Sequence, residues 1–187
     1  HRHREVEIHH AHNAQLPELF QPLEDALVDT FFPSVFGWRP DGELRARCAL
    51  PTRHGGLGIP NPVELAKEEW AASGTLTERL QTALLERAEH FRIDPRTMIT
   101  DRENRLRRRD ERLRAQADEM ALGLSGRAAR GFEEARLRGG SSWLSFTPLD
   151  DLGLSMDRYP FRDAIALRMG LALPDPVLPE LWQPDVH

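Results

Sequence analysis

From Met98 to about Leu122 the chain runs without a proline or glycine, with about half of its positions charged. A stretch of that length, rich in Arg and Glu and free of breakers, is predicted to be one long α-helix. Its strong apolar positions Ile99, Leu106, Leu113 and Met120 fall every seven residues, with Ala117 and Ala121 beside them. A coiled coil needs two apolar positions per heptad, so this stripe is too narrow for one, and the helix is expected to project from the body. The rest of the domain must be compatible with it, and the segments on either side also read as helical. The fold class is therefore all-α, an irregular domain of six or seven helices with one long charged helix and Gly/Pro-rich loops.

The other segments follow from periodicity and breakers. Leu16, Leu19, Phe20, Leu23, Leu27 and Phe31 recur at helical spacing, which predicts a first helix from about Leu16 or Pro17 to Phe32 with this stripe in the core. Glu43 to Leu50 suits a short helix stopped by Pro51. Residues 51 to 62, Pro-Thr-Arg-His-Gly-Gly-Leu-Gly-Ile-Pro-Asn-Pro, hold three glycines in four positions. They lack the Gly-Lys-Ser/Thr ending of a phosphate loop, and Pro60 and Pro62 bar a helix directly behind the glycines. The segment reads as a compact turn needing positive φ at Gly55, Gly56 or Gly58, with Leu57 and Ile59 packed inward. Val63 to about Ser73 and Thr75 or Thr77 to about Phe91 read as two helices divided at Ser73-Gly74 and packed antiparallel. A short amphipathic segment around Phe132, Ala135 and Leu137 follows, and Ser141 or Ser142 is expected to cap a helix that holds Trp143 and Leu144 in the core. The last helix runs from Asp157 to Met169 and ends at Gly170.

Composition narrows the class of protein. The chain has 187 residues, a net charge of -5 and 40% hydrophobic residues, with no apolar run of membrane-spanning length. A single cysteine, Cys48, excludes an internal disulfide and a cysteine-based zinc site, which points to a reducing, intracellular setting, nuclear or cytoplasmic, with no membrane partner. Charge is uneven: residues 1–90 carry 9 basic and 14 acidic side chains, residues 91–140 carry 13 and 9, and residues 141–187 carry 3 and 7. A basic middle thus lies between acidic flanks.

That basic middle carries the main candidate site. Arg102, Arg105, Arg107, Arg108, Arg109, Arg112 and Arg114 lie within thirteen positions, and guanidinium groups fork bidentately onto phosphate oxygens. The competing reading is a solvated face, in which Asp101, Glu103, Asp110 and Glu111 pair with the arginines along the helix. Other chemistry is thinner. His9 and His12 share a helical spacing, but no Asp, Glu or Cys completes a metal set there. Asp150 and Asp151 suit a loop or cap better than a cation site, and Ser141 and Ser142 lack a Gly-X-Ser-X-Gly elbow that would support a hydrolase with His54 or His90. Arg53 and His54 stand on the glycine turn, placed to touch a phosphate.

Three segments together carry a resemblance. Residues Leu16 to Leu27 (LPELFQPLEDAL), Leu50 to Ile59 (LPTRHGGLGI), and Gly140 to Leu144 (GSSWL) with Phe161 to Arg168 (FRDAIALR) resemble, in order and separation, the region after the polymerase core in retroelement reverse transcriptase-like proteins. The resemblance spans about residues 16 to 172. Gly140 stands where that family often has Ala, and Met169 where an aromatic residue is common. The resemblance implies that the parent activity is RNA-directed DNA polymerisation, with a Tyr-X-Asp-Asp metal site upstream and a Cys/His cluster downstream. Neither motif is in this sequence, whose one tyrosine, Tyr159, precedes Pro160.

The expected organisation is a His-rich truncated segment (1–15), a helical subdomain with the Gly-rich turn (16–92), the long Arg-rich helix (93–125), a Trp-bearing helical segment (126–172) and a Pro-rich tail (173–187). The expected function is that of a non-catalytic thumb or connector fragment of a reverse transcriptase-like protein, without catalytic residues, metal or cofactor of its own. A divalent metal is expected only in the missing polymerase core. Expected partners are the rest of the polymerase chain and an RNA-DNA or DNA duplex, held by its backbone through the seven arginines. The alternative is a structural or protein-interaction helical module that binds no nucleic acid.

Overall fold

A computed structural model of the chain describes residues 18–87, 95–147, 149, 151, 153 and 155–173. Among these residues the fold is all-α, with seven α-helices and no strand. Helix α1 covers residues 18–26 and passes through a π turn, Leu27–Phe31, directly into α2, Phe32–Phe36. Helix α3 spans Gly42–Ala49, α4 Pro62–Leu85, α5 Pro95–Gly123, α6 Gly126–Arg136 and α7 Arg158–Arg168. Short 3-10 turns at Thr52–His54 and Ser142–Ser145 complete the described set.

Local chemistry explains most boundaries. Asp41 caps α3 by accepting from the Leu44 amide at 2.8 Å, and α3 gives way to extended backbone at Leu50, before Pro51. Asn61 caps α4 by accepting from the Val63 and Glu64 amides, with Pro62 at the first helical position. The long helix predicted from Met98 to Leu122 is present and slightly longer. By contrast, the two helices expected on either side of Ser73-Gly74 are one continuous α4. The Thr77 hydroxyl, expected to cap a new helix, instead donates back to the Ser73 carbonyl at 2.8 Å. A single Gly in a helix interior costs only about 1 kcal/mol against Ala, too little to break this one.

The core lies where the ends of the described chain meet. Phe32, Phe36, Leu44, Cys48, Ile165 and Met169 form its main cluster, with Trp38, Leu57, Ile59, Trp143 and Phe161 packed against it. A second cluster of Leu50, Ala117 and Phe132 joins the second half of α5, through Leu113 and Met120, to α6. The long helix therefore docks by its C-terminal half and projects only by its N-terminal half. Leu57 and Ile59 pack inward as expected, and the glycine turn has positive φ at Gly55 and Gly58. Gly56 is required for another reason: a Cβ there would lie 2.0 Å from the Leu50 carbonyl oxygen.

The stripe expected to bury α1 does not do so. Leu19 is 71% exposed and Leu23 52%, while the buried residue of this helix is Glu24. Each π turn closes an i to i+5 ring, one residue more than an α turn, and so rotates the face presented before it against the face after it. Phe32 and Phe36 enter the core, and the Leu19 and Leu23 face turns away from it. Cys48 sits fully buried, and desolvation pushes its thiol up to about 12, which leaves it an apolar packing group.

Candidate nucleic-acid interface

Helix α4 and the N-terminal half of α5 run antiparallel as a hairpin that extends from the core, and the seven candidate arginines lie along α5. Three of them are turned toward α4. Arg105 donates to Glu69 at 3.1 Å, Arg109 to Glu69 at 3.4 Å with Glu68 at 3.7 Å, and Arg112 to Glu68 at 2.6 Å. The carboxylates expected to compete for these arginines lie on α5 itself, yet these partners come from α4, across the hairpin. Arg107 reaches Asn104 at 3.0 Å and stands 4.0 Å from Glu111. Arg102, Arg108 and Arg114 are exposed and, among the described residues, have no carboxylate within 4 Å. At 3.6 residues per turn these three fall about 120° apart around α5.

The glycine turn reaches the same helix. Asp110 on α5 accepts from Arg53 at Nε, 3.0 Å, and from its Nη2, while the His54 Nε2 lies 2.7 Å from the same oxygen. The Arg53 hydrogen bond first, and that of His54 second, hold the Asp110 carboxyl below the usual carboxylate range. Arg53 and His54, expected on an exposed turn with a phosphate in reach, are thus committed to a carboxylate, and His54 is buried at 8% exposure. Their role is to fix the base of the hairpin against the turn. Arg136 does the same from α6, donating to Asp118 and holding that carboxyl low.

Three further arginines, not singled out by the sequence, are buried. Arg168 on α7 donates through Nη2 to the Thr52 carbonyl at 2.7 Å, the Gly56 carbonyl at 2.9 Å and the Ser141 Oγ at 2.9 Å. Its Nη1 reaches the Gly140 carbonyl at 3.3 Å. One guanidinium, 6% exposed, so clamps the glycine turn, the Gly140-Ser141 bend and α7 together. Arg47 donates to the Met169 carbonyl at 2.8 Å and lies over the Phe132 ring, and Arg45 forks onto Glu24 at 2.7 Å through two nitrogens while also reaching the Ile59 and Pro60 carbonyls. Burial lowers the pKa of Arg47 and of Arg168, though both remain cations at neutral pH. Arg168 and the residues it binds belong to the second and third of the segments that carry the family resemblance, and Glu24 belongs to the first. Arg168 was detectable in principle, since it interrupts the buried run Ile165, Ala166 and Met169 on α7.

The remaining candidates resolve as structure. Ser141 does not cap the turn after it: its Oγ stands 2.7 Å from both the Thr52 and Ala135 carbonyls, while Ser142 Oγ donates to Gly139. His54 is bound to Asp110 rather than to either serine, and His90, His9, His12 and Asp150 lie outside the described residues. Among the described residues no three His, Cys, Asp or Glu side chains gather as a metal site, and no helix is long and apolar enough to cross a membrane. No protein-family model, curated protein or solved structure matches the chain.

Proposed function

We propose that the chain is a non-catalytic helical part of a retroelement reverse transcriptase-like protein, in which α5 holds a template-primer duplex by its phosphate backbone. The observation that carries this reading is the exposure of Arg102, Arg108 and Arg114 on a projecting helix with no carboxylate within 4 Å among the described residues. Arginines spread over several faces of a helix meet phosphates more readily than they read one base edge. The resemblance supports the parentage, and the contacts of Arg168 with Thr52, Gly56, Gly140 and Ser141 support the second and third motifs belonging to one folding unit. The residues described supply no polymerase metal site, so no step of polymerisation is assigned to them. Primer extension by this chain with magnesium or manganese should give no incorporation above a buffer blank.

A second reading has its own observation. Glu68 and Glu69 take up Arg105, Arg109 and Arg112, which favours a strut held by ion pairs in a structural or protein-interaction module. Binding to an RNA-DNA duplex at low salt separates the two. If three phosphates are neutralised, log affinity should fall against log salt with a slope of about -3. Reversing Arg102, Arg108 and Arg114 to Glu, none of which pairs with a carboxylate of α4, should abolish binding and leave the fold intact. Absence of binding at low salt, or equal binding by the reversed chain, establishes the strut.

A further inference from the structure

A cleft of about 280 Å³ lies between the end of α2 and α7, apart from the long hairpin. Phe36, Trp38, Ala166, Leu171 and Ala172 give it apolar walls. Phe36 and Trp38 stack at 5.5 Å with 22° between their rings, which stiffens that side. Among the described residues the one charged group in the lining is Arg162, one turn before Ala166 on α7. Its Nε donates to the Phe36 carbonyl at 3.2 Å, and its Nη2 lies 1.7 Å from where a Cβ on Gly37 would stand. Gly37, which caps α2 with a φ of +81°, thus lets the guanidinium rest on bare backbone. That anchorage fixes the guanidinium and leaves Nη1 and Nη2 without an acceptor among the described residues.

These features specify a ligand by its chemistry. A guanidinium stays charged at any pH the fold survives, and its paired Nη groups match the two oxygens of a carboxylate. Trp38 adds an Nε1–H that is buried and has no acceptor, and an orphaned buried donor marks a place where a ligand or an ordered water completes the bonding. The cleft is smaller than the sites of about 300 to 1,000 Å³ that hold drug-sized ligands, so its occupant is small. We infer that the cleft binds a carboxylate carried on a short aliphatic body, the head on Arg162 and the body against the apolar walls. Phosphate is a poorer match, because its second charge meets no second cation and its outer oxygens would lie against hydrocarbon. Two sources carry the matching chemistry: a free aliphatic acid, and the C-terminus of a peptide that ends in an apolar residue. No residue of the cleft belongs to α4 or α5, so the inference goes beyond the nucleic-acid reading and does not depend on it.

Heteronuclear NMR of the Trp38 indole N–H, assigned with Trp38→Phe, reads the site directly. At constant ionic strength, hexanoate should shift this signal saturably with a dissociation constant of about 1 mM, as suits so small a ligand. Hexanol, which keeps the body and lacks the charge, and inorganic phosphate, which keeps the charge and lacks the body, should bind at least about 10-fold more weakly. Acetyl-alanyl-leucine with a free carboxylate tests the second source: tighter binding than hexanoate assigns the site to a peptide terminus, and weaker binding to a free acid. Arg162→Met keeps the stem and removes the fork, and should raise the dissociation constant about 10-fold or more. Ala172→Phe leaves Arg162 in place and fills the cleft from an exposed position, so it should abolish binding without unfolding the chain. It decides the matter if the amide spectrum shows that Arg162→Met has lost its fold. No saturable shift up to about 20 mM hexanoate overturns the proposal. So does hexanoate binding that either folded variant retains at full strength, or phosphate binding as tight as that of hexanoate.

Discussion

Replacing Arg168 by Ala removes a group that ties the glycine turn and the Gly140-Ser141 bend to α7. The Thr52 carbonyl keeps the Gly55 amide at 3.2 Å and the Ser141 hydroxyl at 2.7 Å, so it is not orphaned. The Gly56 carbonyl loses both of its donors from Arg168, at 2.9 and 3.2 Å, and lies in a buried turn. One buried carbonyl left unpaired costs about 1 to 3 kcal/mol. Loss of the buried aliphatic stem adds about 2 kcal/mol, at about 0.8 kcal/mol per methylene. Against this stands the desolvation of a guanidinium with no carboxylate partner, which the substitution relieves. The expected net loss is about 3 kcal/mol, read as a lower urea midpoint at unchanged m-value. Arg168→Met keeps the stem and loses the donors, so it isolates the polar contribution and should cost about 1 to 2 kcal/mol. If the Met variant is as stable as the wild type, desolvation cancels the hydrogen bonds and the clamp is not what joins the three segments.

The other expectations concern the base of the hairpin, the Trp-bearing turn and the ion pairs across the hairpin. Asp110→Asn should weaken the junction slightly at neutral pH, because the carboxylate is partly exposed and its pairs are screened. Since the folded carboxyl titrates below its unfolded value of about 3.9, its contribution is present above about pH 4 and lost as pH falls through the folded value. An acid melt should therefore show a smaller drop for the variant than for the wild type. Trp143→Ala should cost about 2 to 3 kcal/mol by thermal melting, less than a fully buried Trp, since Trp143 is half-buried and meets Phe161 edge-on at 6.3 Å. Glu68→Gln with Glu69→Gln frees Arg105, Arg109 and Arg112; if α5 binds duplex backbone, affinity at low salt rises and the salt slope steepens by up to about -2.7, and a flat response counts against that role.

The sequence was most informative where a single residue type sets backbone geometry. Pro51 ends α3, Gly170 follows α7 with a φ of +68°, and the breaker-free run to Leu122 is one helix. It was misleading where a favourable side-chain bond offsets a poor propensity, as Thr77 does beside Gly74. It was misleading again where the π turn rotates α1, because periodicity counted through Leu27 and Phe31 assumes one constant helical step. Among the seven arginines, proximity in sequence suggested partners on α5, while Glu68 and Glu69 are some forty residues earlier in the chain. Buried arginines are the hardest case. Arg45, Arg47 and Arg168 have the composition of a surface, and only tertiary contacts bring the carbonyls that accept from them.

The clamp also fixes an order of events. Arg168 and the Gly56 carbonyl that it binds are 112 residues apart, and Arg47 is 122 residues from its acceptor at Met169. At ribosomal rates of about 5 to 20 residues per second, the glycine turn waits about 6 to 22 s for its guanidinium. Throughout that interval Phe32 and Phe36 have no Ile165 or Met169 to pack against. The nascent chain thus carries an open aromatic surface while the hairpin is being made, and completion of α7 is the step that closes the domain.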